Sequence, residues 1–212
     1  MRPNRLLIHR ARRSGGLSLI VVLLILVVVS ILGVGATQYA LLGERSSRYD
    51  RDYQLAWQGA DSALADGEAE IFGQGTGANT RPTMFTAAKA GEFVAGCGTT
   101  AANRGLCAAT AAGSEPAWLT VDFTATGNDA PTAALGSYTG QTYQASTTGI
   151  APARVPRYII EAVDGSQLQL PGSNAKLNEE NTSTPLVYRV TASGFGPNVQ
   201  TQVVLQALYR KE

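Results

Sequence analysis

The sequence predicts an α+β fold, with one long N-terminal helix whose rear half lies on an antiparallel β-sheet. Three observations predict it. Residues 17–36 read LSLIVVLLILVVVSILGVGA and hold no charge. Apolar residues then recur at helical spacing as far as Phe72. Towards the C-terminus, apolar and polar residues alternate in runs that read as strands.

The front of the helix comes first. Twenty residues at about 1.5 Å each reach roughly 30 Å, the thickness of a bilayer's hydrocarbon core. Before this run stand Arg2, Arg5, Arg10, Arg12 and Arg13 and no acid, the flank expected on the cytoplasmic side. Beyond residue 16 the balance reverses to a formal −4, from 12 basic and 16 acidic residues. A basic leader on a mildly acidic body argues against nucleic-acid binding. By these residues alone, a cleaved secretory signal, an ordinary signal anchor and a longer specialised helix all remain open.

The pattern does not stop at Ala36. Tyr39, Leu42, Tyr49, Tyr53, Ala56, Ala60, Ala63, Leu64 and Ile71 recur mostly three, four or seven apart. They form one apolar stripe. Charged residues lie between them, among them Glu44, Arg45, Asp61, Asp66, Glu68 and Glu70. Gly73, Gly75 and Gly77 end the helix. One helix of roughly 55 residues therefore meets two environments, and its second half needs a surface to lie on.

The sheet supplies that surface. Trp118–Phe123 is one candidate strand. Arg157–Val163 places Tyr158, Ile160 and Ala162 on one face. Leu186–Ala192 and Val199–Tyr209 alternate in the same way, and residues 194–198 (Gly-Phe-Gly-Pro-Asn) read as the hairpin turn between them. A sheet with one apolar face needs a cover. Residues 73–115 and 124–156, rich in Gly, Ala, Thr and Ser, read as loops or small elements decorating the sheet.

Chemistry is sparse. The only histidine is His9, and the only cysteines are Cys97 and Cys107. No zinc site of usual composition, no nucleophile triad and no cofactor motif is expected. Glu179-Glu180 reads as a solvated turn, Asp164-Gly165-Ser166 as a turn without a calcium-loop pattern, and Asp122 and Asp129 as isolated loop carboxylates. In an exported body, Cys97 and Cys107 are expected to form a disulfide.

At Ser14-Gly15-Gly16-Leu17 a short basic leader ends in Gly and the apolar helix starts at once. This junction resembles the class III signal of type IV pilins and type II secretion pseudopilins. The resemblance implies a prepilin leader at 1–16, cleavage after Gly16 and an N-methylated Leu17. It also implies a transmembrane half at 17–36, an amphipathic half at 37–72 and a periplasmic globular domain at 73–212. Two departures stand out. Leu17 follows the cut where Phe is commonest, and Val21 occupies the position where most pilins carry Glu.

Glu44-Arg45, followed by Arg51-Asp52-Tyr53-Gln54-Leu55-Ala56-Trp57-Gln58-Gly59-Ala60-Asp61-Ser62-Ala63-Leu64, resembles the N-terminal region of PilX-type minor pilins. Gly59 stands where that family usually has Ala. Pro156–Glu161, Tyr188–Gly194 and Val203–Tyr209 resemble the family's C-terminal strands. The resemblance implies a pilin-like fold and a non-enzymatic minor pilin that primes or caps a type IV pilus. Implied partners are other minor pilins, the major pilin, a PilY-type tip protein, a prepilin peptidase and an inner-membrane assembly platform. The implied location is the inner membrane, with the N-terminus cytoplasmic and the body periplasmic, and then the pilus tip. A type II secretion pseudopilin and a signal-anchored periplasmic binding domain are the alternatives. The K-type pseudopilin also lacks the Glu but carries a much larger inserted domain.

Overall fold

A computed structural model describes residues 17–111, 113–144, 149–164 and 186–211. Helix α1 runs unbroken over Leu17–Ile71, 55 residues. The chain divides into two compact units between Arg48 and Tyr49.

In the first unit every large apolar side chain from Leu19 to Val34 is exposed, by 45 to 75 %. Among the described residues of this unit, nothing covers the helix, which is apolar on all sides. The helix is long and apolar enough to cross a membrane, with a peak mean hydropathy of 3.2.

The second unit holds the rest of α1, a single helical turn α2 (Ala117–Thr120), and strands β1 (Leu106–Ala108), β2 (Ala133–Ala134), β3 (Arg157–Asp164), β4 (Leu186–Phe195) and β5 (Gln202–Arg210). The strand order is β1-β3-β4-β5, with β2 also pairing to β3. Antiparallel pairing joins β3 to β4, β4 to β5 and β2 to β3. The β1–β3 pair is parallel, so the sheet is mixed rather than purely antiparallel. The strand β1 comes from the stretch expected to be loop. Three residues between Gly105 and the Ala/Thr run are too few to show an alternation.

One face of the sheet carries α1. Tyr158, Ile160, Tyr188, Val190 and Ala192 form a core with Ala63 and Ile71. Met84, Phe85 and Phe93, from the Gly/Ala-rich insertion, complete it. Phe85 meets Tyr188 edge-on at 5.4 Å. The helix lies very close where Ala56 and Ala60 pack on Val203 and Leu205. The start of α1's stripe does not take part, since Tyr39, Leu42, Tyr49 and Tyr53 are all exposed.

The other face is covered as well, which the sequence pattern did not suggest. Ile159 and Phe195 pack with Cys97, Cys107, Ala117 and Phe123. This explains why Tyr158, Ile159 and Ile160 are consecutive and all buried. Lower on that face, Arg189 grips the fully buried Glu161 across the strands with two bonds of 2.8 Å.

Two expectations are corrected. Trp118–Phe123 is not a strand. Pro116 leads into the turn α2, and the Asp122 carboxylate then accepts from Thr124 N at 2.7 Å and from its hydroxyl at 2.6 Å. Ala117, Trp118, Val121 and Phe123 all reach one apolar cluster, which an alternating strand could not achieve. The hairpin also turns later than expected. Gly194 and Phe195 belong to β4, and the reversal is Gly196–Thr201, closed by Gly196 N donating to Thr201 O at 2.8 Å. Val199 lies in that turn, not in β5.

The end of α1 is fixed by a glycine cap. Gly73 takes φ +70°, Gln74 N donates to Ala69 O at 2.8 Å, and Lys211 Nζ donates to Ile71 O at 2.7 Å.

Candidate functional site

The sequence-derived site residues divide by position. Gly16 lies outside the described residues, and Leu17 is the first residue of α1. Val21 is half exposed on the apolar cylinder, and the first acid along α1 is Glu44. Nothing lies within 4 Å of where a Cβ would sit on Gly33 or Gly35, so both present bare backbone. Such positions let a neighbouring helix approach closely.

Cys97 and Cys107 form the expected disulfide. It ties the 98–106 loop to β1 and so to the outer face of the sheet. Replacing both cysteines with Ser should lower body stability by about 2–3 kcal/mol in the chain-entropy account. Denaturant unfolding followed by tryptophan fluorescence would measure this.

Gly59 has a structural reason. A Cβ there would lie 3.1 Å from Pro156 Cγ and 3.5 Å from the Cα of Gly194. The helix and strand backbones therefore touch at this point, and the departure from Ala gives them room.

A buried polar clasp is the feature that sequence reasoning missed. By sequence Asp66 and Glu70 read as polar residues between the apolar positions of α1, yet both are buried. Asp66 accepts from Gly136 N at 2.8 Å and from the Thr139 hydroxyl. Glu70 pairs with Arg81 and accepts from the Tyr158 hydroxyl at 2.6 Å. Arg81 also donates to Ala102 O and Arg104 O, each at 2.8 Å, and stacks over the Tyr138 ring at 3.4 Å. Tyr138 in turn donates to Ala101 O at 2.9 Å. Burial pushes both carboxyls above their ordinary values. The Thr139 and Gly136 bonds pull Asp66 back, and the Arg81 guanidinium pulls Glu70 back. The Tyr158 hydroxyl is pushed well up, first by burial and then by Glu70. The missed signal was spacing, since Asp66 and Glu70 stand three and seven residues after Ala63, on the apolar stripe itself.

This clasp binds the helix end to the 76–81, 101–104 and 136–141 segments. Its carboxylates are all engaged by donors, so it is suited to holding a shape rather than to moving a proton. Asp122 serves its local turn, and Asp164 ends β3. Glu179 and Glu180 lie outside the described residues. Among the described residues there is no group of three potential metal-ligating side chains.

One unit is thus a bare apolar helix, and the other is a helix-on-sheet body. Comparison with known families agrees with it. Residues 15–65 match the model described as PilX N-terminal, and residues 97–211 match that of the type IV pilus assembly protein PilX C-terminal region. No match was found among curated proteins or among solved structures. The two models together take in the exposed helix, the Gly59 contact, the disulfide and the strands, and the chain belongs to the PilX family of structural type IV pilus components.

Proposed function

We propose that this chain is a minor pilin that primes or caps type IV pilus assembly within a tip or initiation complex. The observation that carries the reading is the uncovered apolar cylinder Leu19–Val34, with Val21 where other pilins have a carboxylate. Such a surface belongs first in lipid and then among sister helices. Residues 1–16 act as a prepilin leader, removed after Gly16 by a prepilin peptidase on the cytoplasmic face. Leu17 becomes the methylated N-terminus. The body is periplasmic until the inner-membrane platform moves the subunit outward with other minor pilins, the major pilin and a PilY-type tip protein.

Val21 fits a leading position. In a filament, the usual Glu pairs with the free amine of a neighbouring subunit. A buried carboxylate without such a partner costs several kcal/mol. A subunit with nothing ahead of it does better with an apolar residue.

Mass spectrometry of the membrane-bound protein tests the processing, and methyl-Leu17 is the expected N-terminus. An N-terminus near Met1 or near Thr37 would overturn the assignment. Val21→Glu should cut the number of pili per cell several-fold. Normal piliation with normal incorporation of the variant would remove the argument for a leading position.

A further inference from the structure

The sheet of the second unit ends in two unlike edges. At β1 the edge is three residues long, and Val94 flanks it with a bridge to Cys107. At β5 the edge is nine residues long, and among the described residues no further strand pairs with it. Pairing of β5 with β4 is continuous from Gln202 to Arg210, without a bulge. In that register Gly196 and Thr201 are a bonded pair. Bonded pairs recur at every second position, so Val203, Leu205, Ala207 and Tyr209 turn their backbone groups to β4. Gln202, Val204, Gln206, Leu208 and Arg210 turn theirs outward, and all five are exposed. Edge strands are commonly blunted by proline, lysine or a bulge. This one has none of these, and its single charge, Arg210, is its last residue. A row of free N–H and C=O groups at strand spacing is matched by one kind of ligand, another extended backbone.

The neighbouring helix decides which side chains that backbone carries. Asp61, Leu64, Glu68 and Phe72 stand three or four apart and share one face. That face overlooks β5. Phe72 meets the Tyr209 ring at 6.4 Å, and burial, then Glu68 and Asp61, push the Tyr209 hydroxyl up to about 12. Asp61 and Glu68 are exposed, and among the described residues neither belongs to an ion pair. Trp57, one turn before Asp61, extends the row and is half exposed. A strand beside β5 would thus turn one face to two carboxylates and two aromatic side chains. Its other face would meet the exposed Val204 and Leu208. A second copy of β5 does not suit the slot, because its helix-side residues Val203, Leu205, Ala207 and Tyr209 bring no cation.

We propose that the β5 edge and the Asp61–Glu68 face of α1 form a docking slot for an extended segment of a different protein. That segment carries lysine or arginine at alternate positions towards the helix, and β-branched apolar residues opposite Val204 and Leu208. It runs antiparallel to β5, the slightly more stable pairing, and adds a strand to the sheet. The slot lies within the body and does not depend on where the subunit sits in a pilus.

The test uses the full chain in non-ionic detergent micelles and the blocked peptide Thr-Lys-Val-Lys-Thr-Lys-Val-Lys-Thr. Binding should saturate, and the bound peptide should slow hydrogen exchange at the Val204, Gln206 and Leu208 amides about tenfold or more. A peptide of the same composition with its lysines in one block should bind about tenfold or more weakly, as should one with Glu for every Lys. Gln206→Pro removes an outward N–H that β4 does not use, so the body should still fold. Its Kd for the peptide should rise about tenfold or more. Val204→Lys alters only an exposed side chain and should weaken binding in the same direction, which keeps the test independent of the proline. Binding that does not saturate overturns the proposal. So does equal binding by either control peptide or by both variants, or protection of the same three amides in the free chain. Dimerisation lost in Gln206→Pro would also overturn it, by making a second copy the occupant.

Discussion

Gly194→Ala should unfold the body or detach α1 from the sheet. The added Cβ would fall 2.0 Å from Ala56 O and 2.2 Å from Ala60 N, both backbone atoms that cannot turn aside. The helix would have to lift by more than an ångström, which opens the packing of Ala56, Ala60 and Val203. Overpacking in a rigid contact costs typically 1–3 kcal/mol, and more where backbone meets backbone. Separation of Ala63 and Ile71 from Tyr158 and Val190 would add to this. Limited proteolysis and denaturant unfolding should show a loss of at least about 3 kcal/mol. Gly43→Ala, where nothing lies within 4 Å, should be close to neutral in the same assays. Similar behaviour of the two variants would mean that helix and strand do not touch as described.

Arg81→Met should cost about 3–5 kcal/mol, because it leaves the Glu70 carboxylate buried without its partner. The double variant Arg81→Met/Glu70→Gln should regain much of that loss, and the pairwise coupling measures the ion pair. The pH dependence has a definite sign. Without Arg81, burial and the nearby Asp66 charge are opposed only by the Tyr158 hydrogen bond, and the folded pKa of Glu70 rises further. Over the window between the unfolded and the raised folded value, the folded state then holds a proton that the unfolded state lacks. Stability of Arg81→Met should therefore fall as pH rises through that window, and recover as the buffer is acidified. Unfolding of Arg81→Met compared at pH 8 and pH 5 checks this. A variant no weaker at pH 8 than at pH 5 would show that Glu70 is not buried.

Much of the fold was legible because its signals are periodic. The 55-residue helix, the strands β3, β4 and β5, and the joining of helix to sheet all follow from residues spaced at 3.6 or 2. The disulfide was legible only on the condition that the body is exported, where two cysteines are expected to pair. The turn α2 was not, because six residues that alternate in polarity fit either a strand or an irregular ridge facing one cluster. The short strand β1 was not either. Its parallel partner β3 lies more than 50 residues away, and no local pattern announces such a pairing.

The sequence by itself determined the helix with two environments, its glycine stop, the alternating strands and the family. Each of these is written in neighbouring side chains whose spacing matches a backbone period. Only the tertiary structure decided that Asp66 and Glu70 are buried, that Gly59 faces Gly194, and that both sides of the sheet are covered. A carboxylate goes inside only when a distant Arg81, Tyr158 or Thr139 arrives to bond it, and a bare backbone is needed only where another backbone comes within touching distance. Those partners lie far apart along the chain and close in space, so folding alone brings them together.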